Sequence, residues 1–252
     1  MKTIYSLIGA IIILIALFYG INAKEKQKDT FNMPVQIIPI SHATAVIKWG
    51  DTTIYTDPVG GGTAFKNQPP ADIILITDIH GDHFSTSTLS AVIGNAVLIV
   101  PQAVKEQLPD ALASRASVLK NGEIISEKTL QILAMPMYNL PESSDGRHTK
   151  GRGNGYVIER DGFRVYVAGD TAGIPEMRAL KDIDIALVPM NLPYTMGVDE
   201  AADAVLDFKP KKVYPYHYRG QDGLSDVNKF KELVNTKNPN IEVILMNWYP
   251  QQ

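Results

Sequence analysis

The chain has 252 residues, 45% hydrophobic and 20% charged, with a formal net charge of −3. That length holds one large domain with a full core, and a near-neutral chain without a basic patch argues against a nucleic-acid partner. Cysteine is absent, which excludes disulfides, a thiolate nucleophile and cysteine-ligated zinc or iron–sulfur centres. Any metal must be held by imidazole and carboxylate.

Residues 1–23 read as an export segment. Lys2 precedes a largely apolar run from Ile4 to Ile21, and Ala23 suits the position before a cleavage site. The run is also about long enough to span a bilayer. A cleaved signal peptide and a retained anchor, with membrane association through residues 4–21, therefore both fit. Either places the rest of the chain outside the cytoplasmic membrane, as a periplasmic or otherwise extracytoplasmic protein. Residues 24–33 are polar and charged without periodicity, as in a linker, and the domain proper is expected over 34–252.

From Val35 onward, strand-like runs alternate with turn signals: Val35–Pro39, Ala45–Trp49, Thr52–Thr56 and Ile73–Ile76, with Gly50-Asp51 as a hairpin turn. Ser85 is placed to cap a helix over Thr86–Ile93. A strand over Ala96–Val100 follows, and Pro101 opens a helix over Gln102–Leu108. The second half adds strands at Leu130–Met135, Tyr156–Arg160, Arg164–Ala168, Ile183–Val188, Val213–Tyr216 and Glu242–Met246. Asp161-Gly162 is a strong hairpin signal. Helices fit Ile174–Leu180, Asp199–Phe208 and Ser225–Val234. Strands leading each half, then alternating with helices, predict sheets packed between helical layers.

Two of only five histidines fall in the heptapeptide Thr77-Asp78-Ile79-His80-Gly81-Asp82-His83, directly after the apolar run Ile73–Ile76. Four metal-binding side chains at the end of a buried strand are hard to explain by packing, because charged groups are rarely buried unless paired or bound to metal. Asp170 follows Gly169 at the end of another strand, where helix capping is the plain alternative. His217 ends a third strand, and His148 lies in the Gly- and charge-rich stretch Ser144–Gly155. A Gly-x-Ser-x-Gly motif is absent, so a covalent serine route has no support.

Taken in order, Ser41-His42-Ala43, Tyr55-Thr56-Asp57-Pro58, the heptapeptide, Tyr138-Asn139, Gly155-Tyr156-Val157-Ile158, Ala168-Gly169-Asp170-Thr171, Met196–Ala201 and Pro215-Tyr216-His217-Tyr218 resemble the metallo-β-lactamase superfamily. Within it they look most like the branch containing L-ascorbate-6-phosphate lactonase and N-acylphosphatidylethanolamine-hydrolysing phospholipase D. The resemblance implies a four-layer αββα sandwich carrying two divalent ions, zinc foremost, with manganese or iron as alternatives. Carried over by residue, one metal takes Asp78, His80, His148 and Asp170; the other takes Asp82, His83, Asp170 and His217.

Asp78 stands where the superfamily usually has histidine, which gives a harder site. Asn139 competes with His148 for the third-motif position, and imidazole is the better donor. His42, Asp57, Asn139 and Tyr216 are read as supporting or substrate-binding residues. The resemblance implies hydrolysis by hydroxide generated at the metals, with Asp82 orienting the nucleophile and His217 stabilising developing charge. The substrate is expected to be an ester, lactone or phosphodiester, either a small molecule or lipid-like. The rival reading, motivated by Asp78, is an exported non-catalytic metal- or ligand-binding protein of the same fold.

Overall fold

Two hydrophobic sheets form because the chain alternates short extended runs with short helices that cover them. The computed structural model describes residues 35–250. The first sheet holds β1 (Val35–Ser41), β2 (Thr44–Trp49), β3 (Thr52–Thr56), β4 (Ile73–Leu75), β5 (Val97–Val100) and β6 (Ala116–Val118), side by side in chain order. β2 and β3 are antiparallel across the Gly50-Asp51 turn, and β3 through β6 run parallel. Their connections carry α1 (Thr86–Val92), α2 (Gln102–Lys105) and α3 (Asp110–Ala113).

The second sheet begins with the meander β7 (Ile124–Glu127), β8 (Leu130–Met137), β9 (Gly153–Arg160) and β10 (Phe163–Val167). It continues with β11 (Ile185–Pro189) and β12 (Lys212–Tyr216), interleaved with α4 (Pro175–Arg178) and α5 (Val198–Phe208). A small hairpin, β13 (Arg219–Gly220) and β14 (Gly223–Leu224), precedes α6 (Val227–Lys237) and the edge strand β15 (Glu242–Val243). The strand order is β15-β12-β11-β10-β9-β8-β7.

Burial follows from the pattern. Ile73, Ile74 and Leu75 in β4 are all fully buried, as expected for a central parallel strand covered on both faces. On the outer face, Ile74 and Leu98 pack with Leu89, Val104 and Leu112 from α1, α2 and α3. The inner face meets the second sheet: the Tyr156 hydroxyl donates to the Ile76 carbonyl (2.7 Å), and Arg160 donates to Thr52 Oγ1 (3.1 Å). Tyr166 of β10 meets Phe208 of α5 at 6.1 Å between ring centroids. The layers are therefore helix, sheet, sheet, helix, the expected αββα sandwich.

Several elements differ from the sequence expectation, each for a physical reason. β9 starts at Gly153 rather than Tyr156. Gly155 reads as a loop residue, but it lets β9 approach β10 closely: a Cβ there would lie 2.7 Å from the Ala168 carbonyl oxygen. The helices expected over Gln102–Leu108 and Ile174–Leu180 are single turns. The strand expected over Glu242–Met246 stops at Val243, and the irregular chain beyond it carries Tyr249 to the functional end of the sandwich. α3, β6, β7 and the β13–β14 hairpin were not expected.

The expected export segment, residues 1–23, and the linker, residues 24–33, lie outside the described residues. Among the described residues no helix is long and apolar enough to cross a membrane. Within the described residues this corrects the expectation of a periplasmic, membrane-associated protein: none of them forms a spanning helix, and the segment that carried the export reading lies outside them.

The core assignment has a direct test. Ile74→Ala is expected to lower the unfolding free energy by about 2–5 kcal/mol, through lost transfer energy and a residual cavity. Ile124→Ala, at a side chain 60% exposed on an edge strand, should change it by less than about 0.5 kcal/mol. Urea unfolding of both variants checks the contrast, and equal losses would refute the assignment.

Candidate metal centre

One end of the sandwich collects the ends of β1, β3, β4, β8, β10 and β12, followed respectively by His42, Asp57, the Thr77–His83 turn, Asn139, Asp170 and His217. The backbone is forced at three of these points. His42, Asp57 and His217 have φ of 53°, 46° and 48°, a left-handed conformation that costs side-chain-bearing residues about 1 kcal/mol or more each. Gly169 also lies there, with φ 67°, and a Cβ at that position would sit 2.7 Å from Met137 Sδ. Its N–H donates to the Tyr216 hydroxyl oxygen (2.9 Å). Glycine thus permits, and Tyr216 fixes, the turn that presents Asp170.

Three groups of potential ligand atoms converge: Asp78, His80 and His148; His83, Asp170 and His217; and His42, Asp82 and His217. Asp170 links the first two. Its Oδ2 lies 3.1 Å from His148 Nε2 and 3.2 Å from His83 Nε2, and its Oδ1 lies 3.3 Å from His217 Nε2. The His83 and His217 Nε2 atoms are 3.0 Å apart. Asp82, more exposed, approaches His217 Nε2 (3.4 Å) and His42 Nε2 (3.2 Å). All seven residues expected as metal ligands are therefore in one cluster, and His42 is closer to it than a supporting role requires.

The rings are oriented from behind. Asp57 accepts from the Thr77 N–H (2.7 Å) and the Thr77 hydroxyl (2.6 Å), and its Oδ2 lies 2.8 Å from His83 Nδ1. Asn139 Oδ1 accepts the His148 backbone N–H (3.0 Å) and lies 3.0 Å from His148 Nδ1. With Nδ1–H donated to these oxygens, Nε2 of both rings keeps a lone pair facing the cluster. Asn139 and His148 thus act together rather than as competitors for one position. The Asn191 amide meets His217 Nδ1 (2.8 Å), and Tyr249 holds His42 Nδ1 (2.7 Å). Tyr216 is fully buried and lines no opening.

Buried polar atoms left without a hydrogen bond mark what the cluster is built to hold. His148 Nε2, His80 Nδ1 and Asp170 Oδ1 are buried and unsatisfied, against the strong tendency of buried polar groups to be paired. His80 Nδ1 lies 2.6 Å from Asp78 Oδ2, but off the hydrogen-bonding line. Nitrogen and carboxylate lone pairs converging without a proton between them fit divalent cations.

The charges of the cluster are strongly coupled to one another. Burial works against ionisation of Asp170, yet His217 and His83 outweigh it and hold the carboxyl well below the usual range. Asp82 is lowered too, with hydrogen bonds from His217 and His42 overcoming its desolvation. For His83, Asp170 and Asp57 overcome burial and raise the imidazole well above its ordinary value, so a cation binding at Nε2 would displace a proton from it. Burial alone pushes Asp57 up, beyond what His83 and Thr77 take back.

The residue most consequential among those the sequence reading missed is Arg152. Its guanidinium pairs with Asp78 through three contacts: Nε and an Nη to Oδ1 (3.2 and 3.1 Å), and the same Nη to Oδ2 (3.0 Å). Asp78 is fully buried, while Arg152 is only 20% exposed. Burial disfavours the Asp78 charge, but His80, His83 and Arg152 keep the carboxyl below its ordinary value. The carboxylate that replaces an imidazole thus brings its own counter-charge, which offsets the more anionic character expected of this position. Arg147, Arg219 and Asn191 were missed as well; closeness in sequence to His148 and His217 was the signal for the two arginines, and no local signal marked Asn191, 26 residues from the ring it meets.

Arg152→Gln is expected to destabilise the metal-free protein by about 2–3 kcal/mol, since it leaves a buried carboxylate short of its partner. Zinc should recover most of that loss by supplying the missing positive charge, giving the variant a larger zinc-induced rise in melting temperature than the parent. Thermal melts with and without zinc check both, and a metal-free variant as stable as the parent would remove the pair from the account.

The chain is similar to known proteins over most of its length. Residues 36–217 match the family described as the beta-lactamase superfamily domain. A UPF0173 metal-dependent hydrolase from Thermococcus onnurineus is 34% identical over 221 residues, covering 84% of this chain and 96% of the relative. Its counterpart from Pyrococcus abyssi is 31% identical, covering 81% and 93%. A solved structure from Parabacteroides distasonis, assigned to the metal-dependent hydrolases, superposes with a TM-score of 0.73 at 39% identity, covering 84% and 92%. The metallo hydrolase Igni18 from Ignicoccus hospitalis, at 23% identity, TM-score 0.71 and coverage of 84% and 95%, shares the fold. The chain belongs to the beta-lactamase superfamily, in its UPF0173 family of metal-dependent hydrolases.

Proposed function

We propose that this metal-dependent hydrolase cleaves an ester, lactone or phosphodiester at two divalent cations. One would be held by Asp78, His80, His148 and Asp170, the other by Asp82, His83, Asp170 and His217. The observation that carries this reading is the convergence of His148 Nε2, His80 Nδ1 and Asp170 Oδ1, buried and without hydrogen bonds. Mixed imidazole and carboxylate donors favour zinc, with manganese or iron as alternatives. The finer likeness to the lactonase and phospholipase D branch belongs to this proposal and supports the same bond classes.

Bound there, divalent cations would lower the pKa of water and polarise the oxygen that gains charge. The protein's own groups do the rest. Asp57 and Asn139 fix the tautomers of His83 and His148 through Nδ1, and Arg152 holds the Asp78 carboxylate in place. Asp82 is the solvent-side carboxylate, with Oδ2 between His42 Nε2 and His217 Nε2. In this proposal it accepts the proton of the attacking water as the new carbon–oxygen or phosphorus–oxygen bond forms, and returns it to the departing oxygen as the old bond breaks. His217, beside it, steadies the developing charge. A non-catalytic binder has no observation in its favour, because Asp78 remains inside the cluster.

Metal analysis of the purified protein should find two equivalents of divalent metal, together with turnover of bis(p-nitrophenyl) phosphate or a lactone panel. Asp170→Ala should lose both metals' shared ligand and with it turnover. A folded, metal-free and inert parent protein would sink the proposal. Asn139→Ala, which only unties His148, should weaken metal binding or turnover by about 10–100-fold without unfolding the protein. Competition with a chromophoric chelator measures that change, and an unaltered affinity and rate would deny Asn139 its orienting role.

A further inference from the structure

The cluster opens into a cavity of about 290 Å³ whose walls combine His80, Asp82 and Asp170 with Arg147, Tyr194 and Arg219. Its two guanidinium groups come from the segments that deliver two of the candidate ligands. Arg147 immediately precedes His148, and Arg219 lies two residues beyond His217. Each lies over an aromatic ring, Arg147 at 4.4 Å from the Tyr194 centroid and Arg219 at 4.2 Å from that of Tyr249. Tyr249 is itself tied in: its hydroxyl accepts the Arg219 backbone N–H (3.0 Å) and meets His42 Nδ1 (2.7 Å). Among the described residues, no carboxylate lies within ion-pair distance of Arg147, so its fork of N–H donors remains available to a ligand.

Arginine neither ligates metal nor releases a proton in proteins, so these two residues do not belong to the hydrolytic step. Stacking on a ring while keeping a planar set of donors is how guanidinium groups recognise carboxylate and phosphate. A larger neighbouring cavity of about 640 Å³ shares His42 and Arg219, which leaves room for the remainder of a small molecule.

We propose that the substrate carries an anionic carboxylate or phosphate group docked by Arg147 and Arg219 beside the scissile bond. This specificity rests on the hydrolytic reading of the cluster and adds the substrate's charge class to it.

The test compares a neutral ester, 4-nitrophenyl acetate, with a charged one, mono-4-nitrophenyl succinate, using the zinc-loaded full chain. The parent should favour the charged ester. Arg147→Gln and Arg219→Gln should each raise KM for it by about ten- to a hundredfold, the range expected for a lost hydrogen bond to a charged group. Its kcat, the kinetics of the neutral ester and the zinc content should hold. Calorimetry adds a readout independent of turnover: binding of succinate or of inorganic phosphate should weaken in both variants, and the anion weakened more identifies the group recognised. Equal effects on both esters, or anion binding unchanged in the variants, overturn the inference. A zinc-loaded parent that cleaves neither ester, nor any other member of the hydrolytic panel, counts against the hydrolytic reading instead, while the calorimetric result still decides the role of the arginines.

Discussion

Asp170 is a buried carboxylate meeting three imidazoles, and the architecture at this end of the sandwich follows from keeping it charged. Desolvation opposes that charge, and His217 and His83 overcome the opposition. Such a group tolerates no slack, because an unpaired buried charge costs several kcal/mol. Gly169 therefore takes a left-handed turn in which a Cβ would run into Met137 Sδ, Tyr216 pins its N–H, and Asp57 and Asn139 lock the neighbouring rings. The parallel strands of the two sheets supply the rigidity, since their ends lie on well-packed elements rather than on free loops. The strained φ values of His42, Asp57 and His217 sit at this same end, where surrounding packing can hold them.

How much of this was legible in the sequence depended on distance along the chain. The heptapeptide was readable because its ligands are local, alternate along an extended turn and follow an apolar strand too regular to mistake. β2, β3 and β5 were close to their expected limits because both faces are buried and their runs are continuous. β6 and β7 escaped notice because they are short and close the two sheets at their edges, where half-exposed residues show no clean period. β9 began earlier than expected because Gly153 and Gly155 look like turn residues until a neighbouring backbone explains their lack of a side chain. Arg152 was beyond sequence reasoning altogether. It stands 74 residues from Asp78, and nothing local marks one arginine in a charge-rich stretch as the partner of a buried carboxylate.

That partnership also changes what Asp78 means. Read alone, an aspartate in place of an imidazole adds negative charge to one cation position and shifts its preference toward harder metals. With Arg152 bidentate on it, the pair is nearly neutral as a unit, and the position differs from an imidazole more in donor type than in charge. The whole centre then takes a definite sign. In the proposed two-metal centre, four carboxylates, counting Asp57, would face two divalent cations and Arg152, so the loaded cluster would not be negative, and Arg147 and Arg219 add positive charge at its mouth. A low-dielectric cleft lined by one sign of charge concentrates ligands of the other sign. The substitution that first seemed to weaken the case for catalysis is therefore compatible with a positive, anion-seeking pocket. Asp78 stays ionised against Arg152 within the protein, while the positive charge of Arg147 and Arg219 lies at the cavity that a substrate would enter.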